Sequence, residues 1–151
     1  MVIDIRDLQD KIEVDEKEIK KCASAVLEAM DEKGSELSLL LVSDARMKVL
    51  NIKYRGKNSS TDVLAFSMRS GEGVSRQSPI LGDVVISVET AAREAGKRKI
   101  SLNREICLYV IHGILHLLGY DDESPAARKK MKIKQDELMR LYETAKSYRK
   151  F

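Results

Sequence analysis

A chain of 151 residues, with apolar residues at 43% and charged residues at 34%, is long enough for one packed core and too apolar for a disordered tail. The absence of Trp and the aromatic content of 5% argue against a nucleic-acid platform built on stacked aromatic side chains. The net charge is only +3, but basic residues cluster in residues 45–61, which hold no acidic residue, and in residues 128–150. Either cluster can attract a polyanion, and each also fits a solvated helix face.

The cysteines and the apolar runs indicate the compartment. Cys22 and Cys107 each lie among apolar residues in a helical pattern, which favours two buried thiols over a disulfide framework. The first ten residues are charged and strand-like and do not resemble a signal peptide. The longest apolar run, residues 106–118, is interrupted by two histidines and is too short to span a bilayer. We therefore expect a cytoplasmic protein with no membrane partner.

The chain begins with a strand and a helix. Residues 2–5 alternate as a half-buried strand does. Asp15, with Glu18 three residues later, predicts the start of a helix that ends at Gly34. The predicted buried stripe of this helix consists of Ile19, Cys22, Ala23, Val26, Leu27 and Met30.

A second strand–helix pair and a third strand follow. Residues 37–42 are almost continuously apolar and predict a strand, after which Ser43 predicts a helix cap and Gly56 a helix end. The apolar positions of this helix are Met47, Leu50 and Tyr54. The third strand is indicated by Val63, Leu64 and Phe66. Residues 69–79 are rich in Ser and Gly and predict a mobile loop beside an active site.

One strand and three helices complete the chain. Residues 80–88 contain the fourth strand, and residues 89–97 predict a short helix. Ser101 begins a helix that ends at Gly119 and is apolar nearly all round, as expected of a buried central helix. Ser followed by Pro at 124–125 predicts the start of a last amphipathic helix.

This order of elements predicts the fold class. We expect one α+β domain over residues 1–151, with a small mixed four-stranded sheet packed with about five helices. Helices should cover at least one face of the sheet. The central buried helix carries both histidines of the chain.

The two histidines, His112 and His116, lie four residues apart on that helix. At about 100° per residue they differ by about 40° around the axis, so both rings project from one face. A helix offers two imidazoles to one divalent metal in this way. Cys107 lies on the opposite side and cannot join them. A single histidine here would fit a core residue bonded to a carbonyl, but two adjacent buried imidazoles favour a shared ion.

Gly113 follows the first histidine, where zinc peptidases place a glutamate as general base. A peptidase is therefore disfavoured. The missing side chain predicts close approach of substrate or of another backbone.

Three ordered motifs carry a resemblance to a known family. Residues 112–122, HGILHLLGYDD, resemble the H-G-x-L-H-L-x-G-Y-D-H signature of the YbeY endoribonucleases. Residues 50–66 are similar to the family's L-N-x-x-Y-R-x-K-D-x-P-T-D-V-L-S-F, with Asn58 and Ser60 as departures, and residues 81–87 are similar to L-G-D-I-V-I-S. The resemblance extends over most of the chain from about residue 37.

The resemblance implies a single-strand-specific, metal-dependent endoribonuclease that acts in 16S rRNA maturation and 70S ribosome quality control. Its partners would be RNA and the ribosome or its 30S subunit, with no DNA expected. One divalent metal is implied, with Zn²⁺ as the usual ion. The family's three metal-binding histidines fall on His112, His116 and Asp122.

Asp122 is the main departure from the family pattern. As a ligand it would complete a two-histidine, one-carboxylate site and move the metal preference toward Mn, Fe or Ni. Alternatively, the third ligand is lost and the metal binds weakly. Asp121 and Glu123 are fallback ligands.

Further roles follow from the same resemblance. Arg55 and His112 take catalytic roles, and substrate contacts fall on Arg55, Lys57 and Ser87. Asp62 either orients a histidine or makes a turn hydrogen bond. Two rival functions stay open: a catalytically impaired ribosome-associated factor, and a metal hydrolase with a substrate other than RNA.

Overall fold

The computed structural model describes residues 1–69 and 78–148 and has an α+β fold. Within these residues the elements follow in the predicted order: β1 (Val2–Asp7), α1 (Glu16–Ala29), β2 (Glu36–Val42), α2 (Asp44–Arg55), β3 (Val63–Ser67), β4 (Ile80–Ser87), α3 (Val88–Arg98), α4 (Leu102–Leu117) and α5 (Pro125–Tyr148). The strands form one sheet in the order β1-β2-β4-β3. β1, β2 and β4 are parallel, and β3 is antiparallel to β4, so the predicted mixed sheet is confirmed.

The helix starts lie where the sequence predicts them. The side chains of Asp15, Ser43 and Ser101 each accept a hydrogen bond from the N–H three residues later, at 3.1–3.2 Å. The predicted end of α2 is also confirmed, because Gly56 is left-handed with φ 68°. The predicted end of α1 at Gly34 is wrong. The helix ends at Ala29, and Asp31 takes the left-handed turn at φ 59°, a conformation that Asp tolerates better than most residues.

Helices cover both faces of the sheet. Alternate strand residues point to opposite faces, and one face packs against α1 and α4 in the main core. α4 is buried on nearly all sides, as predicted. The other face packs against α2 in a smaller cluster that contains Met47, Leu64 and Val85. The sheet therefore separates α4 from α2.

The beginning of α2 is fixed to α3 by a hydrogen-bond network around Asp44. Its Oδ1 accepts from Ser87 Oγ at 2.6 Å and from Thr90 Oγ1 at 2.7 Å, and its Oδ2 accepts from Arg93 at 2.6 Å. Burial raises the pKa of Asp44, but these hydrogen bonds outweigh burial and hold the pKa at about 2. Through this network the fold sets the direction of α2, whose last residue is Arg55.

Arg69 joins the end of β3 to the beginning of β4. Its guanidinium contacts both carboxylate oxygens of Glu32 at 2.7 and 3.0 Å, and its Nε donates to the Ser78 carbonyl at 2.8 Å. Both charged side chains are largely buried. Most of the loop predicted at 69–79 lies outside the described residues.

The predicted state of the cysteines is confirmed. Cys22 and Cys107 are free, buried thiols, and the Cys22 thiol points to the Cys107 carbonyl oxygen at 4.0 Å. Cys107 therefore lies next to α1. In the described part of the chain no helix has the length and apolar character needed to cross a membrane.

Candidate active site

His112 and His116 project from one face of α4, as their spacing predicts. Their Nε2 atoms are 3.1 Å apart, and the ring centroids are 4.7 Å apart. Two nitrogens that bind one tetrahedral ion at about 2.0–2.1 Å would be about 3.3 Å apart, close to the distance found. Ligand atoms of both histidines and of Asp122 lie within 4.8 Å of one another. The donor set therefore fits one small divalent cation.

The loop after α4 places Asp122 beside the histidines. Gly119, at φ 98°, turns the chain out of the helix, and Tyr120 N–H donates to the Leu115 carbonyl. Arg128 of α5 donates to the Asp122 carbonyl at 3.2 Å. Asp121 instead accepts from the Glu123 N–H at 3.1 Å. Among the described residues, Asp122 is thus the acidic residue that joins the histidine group.

The surroundings of His116 favour its neutral form. Burial lowers its pKa, and the neighbouring His112 lowers it further, against a smaller raising effect of Asp122. A neutral imidazole has a free lone pair on one ring nitrogen, which is the state that binds a metal.

Gln135 of α5 contacts the other side of His112. The Gln135 Oε1 lies 3.0 Å from His112 Nδ1. If Nδ1 carries the proton and donates to this oxygen, the lone pair of Nε2 faces His116 and Asp122. Sequence reasoning missed this residue. The available signal was its spacing, since Gln135 falls between Met131 and Leu138 on the buried stripe of α5, where an apolar residue is expected.

Gly113 permits close packing of α4 on the sheet. A Cβ at this position would lie 2.5 Å from Cγ1 of Val84 in β4. The approaching group is therefore the Val84 side chain, and the prediction of approach by substrate or backbone is wrong. The glycine sets how closely the histidine helix lies on β4.

One cleft of about 540 Å³ brings most of the predicted site residues together. His112, His116 and Asp122 line one side, and Tyr54 and Arg55, from the end of α2, line another. The remaining lining residues are 61–66. An arginine and a metal-binding group that share one cleft can bind an anionic ligand jointly.

Of the other predicted residues, two lie outside the cleft lining and one, Asp62, lies in it. Lys57 is exposed and is absent from the cleft lining. Ser87 is fully buried, caps α3 and donates to Asp44, so its hydroxyl is engaged within the fold. Asp62 lines the cleft, its carboxylate accepts from the Val63 N–H at 2.8 Å, and among the described residues no histidine donates to it.

The fold and the cleft define a class: an α+β domain whose central helix carries two histidines that could bind a metal, next to an arginine. Comparison with known proteins narrows this class. The family model described as Endoribonuclease YbeY matches residues 4–143, and the chain belongs to this family.

Relatives and a solved structure agree with this membership. The chain is 41% identical to the Endoribonuclease YbeY of Pelotomaculum thermopropionicum, covering 92% of this chain and 95% of the relative. It is 46% identical to that of Anaeromyxobacter sp. (strain Fw109-5), a longer protein of which the match spans 60%. The solution structure of TM1509 from Thermotoga maritima is similar, with a TM-score of 0.67 and 26% identity over 98% of this chain and 93% of that one.

Proposed function

We propose that this chain is a metal-dependent endoribonuclease that cleaves single-stranded RNA. The observation that carries the proposal is the single cleft in which two histidines, an aspartate and an arginine converge. The relatives' name, Endoribonuclease YbeY, supports RNA as the substrate. We propose rRNA as that RNA, in 16S maturation and 70S quality control, with the 30S subunit as partner and the cytoplasm as compartment.

The metal is held by His112, His116 and Asp122. The ion would supply Lewis-acid chemistry, polarising a phosphate oxygen or a water molecule. Gln135 orients His112 so that its Nε2 faces the site. Zn²⁺ fits the two imidazoles, and the carboxylate in place of a third histidine favours Mn, Fe or Ni more than a three-histidine site does. We further propose that residues 1–151 form a single domain of this family.

Arg55 binds the scissile phosphate. It is the last residue of α2, and its side chain lines the cleft from the side of the sheet opposite to α4. A guanidinium donates two parallel hydrogen bonds to a phosphate, which orients the phosphate as well as neutralising it. Lys57, two residues further, adds positive charge near this end of the cleft. Ser87 does not contact the substrate in this proposal, because its hydroxyl is buried.

A second candidate is a ribosome-associated factor without catalysis. Asp122 favours it, because this exposed carboxylate stands where the family motif has a histidine ligand. Such a factor would bind ribosomal RNA in a salt-sensitive way without cleaving it. A metal hydrolase of a small non-RNA substrate would bind the metal and leave RNA intact.

The deciding experiment measures metal content and RNA cleavage on the same untagged preparations. We expect about one divalent ion per chain in the parent, loss of that ion in His116→Ala, and cleavage of single-stranded RNA that a chelator abolishes. Metal without cleavage would favour the hydrolase, and neither metal nor cleavage would favour the factor. Asp122→His gives a further comparison: a large gain in cleavage would mean that the natural site is impaired.

Arg55→Ala tests the phosphate contact separately. We expect the metal content to stay at the parental value and the cleavage rate to fall about 100-fold, as for loss of a charged group that stabilises a reacting oxyanion. Lys53→Ala is the matched control, since Lys53 lies on the same helix but outside the cleft lining. Cleavage by Arg55→Ala at the parental rate would refute the assignment.

A further inference from the structure

The strand β3 has one free edge. It is the last strand of the sheet, and among the described residues no other strand pairs with its outer side. Hydrogen bonds from Ser87 N–H to the Asp62 carbonyl and from Met68 N–H to the Leu81 carbonyl, both at 3.0 Å, fix which residues face β4. Bonded pairs recur at every second residue of an antiparallel ladder. Leu64 therefore bonds to β4, and the N–H and C=O groups of Ala65 point outward.

A local hydrogen bond agrees with this alternation. The Val63 N–H, two residues before Ala65, donates to the Asp62 carboxylate at 2.8 Å and is therefore outside the ladder. This bond occupies the outward N–H of Val63. Among the residues that the structure describes, the outward N–H and C=O of Ala65, at the middle of the strand, have no hydrogen-bond partner.

The free edge of β3 forms a wall of the cleft. Residues 61–66 line the cleft consecutively. Side chains of a strand alternate between the two faces, so consecutive residues line one cavity only when the cavity runs along the backbone edge. The backbone of Ala65 is therefore part of the cleft surface.

This edge lies between the two charged parts of the cleft. The side chains of Val63 and Ala65 pack in the main core with α4, whereas Leu64 and Phe66 belong to the cluster under α2. The histidines thus come from one face of the sheet and Arg55 from the other. A ligand that contacts both His112 and Arg55 must cross the edge of β3.

We propose that the N–H and C=O groups of Ala65 bind the base of an unpaired nucleotide, which places the adjacent phosphate between Arg55 and the histidine group. This inference rests on the proposed function, since it takes RNA as the substrate. A phosphate only accepts hydrogen bonds and would be repelled by an outward carbonyl, whereas each of the four bases carries donors or acceptors that match an amide edge. In an RNA duplex the Watson–Crick edges are already paired and the major groove is too narrow to be read, so this contact selects single strands.

A peptide strand fits this edge less well. Pairing of a strand with a sheet edge uses every outward N–H and C=O in turn, and the outward N–H of Val63 is already bonded to Asp62. β3 is also only five residues long, so loss of one bond removes a large part of such a ladder. A base needs only the two groups of one residue.

Ala65→Pro tests the contact directly. Proline removes the outward N–H while leaving the groups of Leu64 and Phe66 that bond to β4, and an edge strand accepts proline at such a position. We expect the affinity for a fluorescein-labelled single-stranded oligoribonucleotide to fall about tenfold, and its cleavage rate to fall by a similar factor. This is the effect of leaving one hydrogen-bonding group of the base unpaired. The metal content should stay at one ion.

Asp7→Pro is the matched control. β1 forms the opposite edge of the sheet, and the N–H groups of Val2 and Leu8 bond toward β2, so the N–H of Asp7 points outward in the same way. This variant changes an edge amide far from the cleft and should bind and cleave RNA as the parent does. Parental affinity and rate in Ala65→Pro would overturn the inference.

If Ala65→Pro does not fold, an NMR titration of the parent chain tests the same contact. Titration with a nuclease-resistant 2′-O-methyl oligonucleotide should shift the amide NMR signal of Ala65 and leave that of Leu64, which bonds to β4, nearly unchanged. Equal shifts of both signals, or shifts caused by an extended peptide and not by the oligonucleotide, would refute base binding. If the parent itself neither binds nor cleaves RNA, the proposed function has failed, a result distinct from parental behaviour of Ala65→Pro.

Discussion

Both ring nitrogens of His112 have a contact, one with His116 and one with Gln135. We therefore expect a substitution of Gln135 to change the metal affinity. Nε2 of His112 faces His116, and Nδ1 contacts the Gln135 amide oxygen. Removing such an outer partner of a ligating histidine lowers metal affinity about 10- to 100-fold. We expect Gln135→Leu to lose affinity by this factor in a chelator competition titration.

The control for this prediction keeps the acceptor oxygen. Gln135→Glu should retain most of the affinity, because its carboxylate also accepts from Nδ1–H. The unfolding midpoints of the metal-free variants should stay close to that of the parent. Equal metal affinity in Gln135→Leu and the parent would mean that the contact does not orient His112.

Among the elements, α2 is attached to α3 at its first residue, Asp44, whose carboxylate accepts hydrogen bonds from α3 and from Ser87. The pKa of Asp44 is about 2 in the folded chain, below its ordinary 3.8, because hydrogen bonds from Arg93, Ser87 and Thr90 outweigh burial. A lowered carboxyl pKa contributes stability above the ordinary pKa, and this contribution is lost as the pH falls through the folded value. With 27% of the Asp44 side chain exposed, solvent screening limits the contribution to about 1 kcal/mol.

Asp44→Asn should therefore be less stable than the parent by about 1 kcal/mol above pH ~4, and the difference should shrink as the pH falls from ~4 to ~2 and vanish below ~2. Urea unfolding of both proteins across this range measures the difference. Arg104→Gln, which breaks an exposed pair with Glu143, is the control and should show a much smaller difference. A difference between parent and Asp44→Asn that does not change with pH would contradict the role assigned to the carboxylate.

Local patterns in the sequence predicted the helices and strands well, but they did not predict the contacts between residues far apart in the chain. The caps at Ser43 and Ser101 and the histidine face depend on spacings within one helix. The contact of Gln135 with His112 depends on how α5 packs against α4, which no local pattern states. The end of α1 was missed because Asp31, although not glycine, takes the left-handed turn. The edge position of β3 follows from the strand order, which only the assembled sheet shows.

At the scale of the whole molecule, the metal should couple to folding. An ion bound by His112, His116 and Asp122 would connect α4 to the loop that leads into α5. Such an ion stabilises the folded chain and not the unfolded one. At a free concentration of 100 times Kd, the gain is about 2.7 kcal/mol. For a domain of this size the melting temperature should rise by about 5–10 °C.

Thermal unfolding with and without Zn²⁺ or Mn²⁺ measures this rise. His116→Ala should show no rise at the same metal concentrations, because it removes a ligand. One cooperative transition is expected in each case, since a single main core includes residues from α1, α4, α5 and the sheet. A rise of equal size in His116→Ala would place the stabilising ion elsewhere.

The contacts of Arg69 with Glu32 and Ser78 fix the ends of β3 and β4 independently of residues 70–77, which connect them in the sequence. Because the residues on both sides of 70–77 are joined directly, β3 and β4 keep their register whatever number of residues connects them. Doubling a connecting segment costs only about 0.6 kcal/mol in closure entropy. This position should therefore accept an inserted epitope or fluorescent tag, and insertions and deletions among natural relatives should concentrate here.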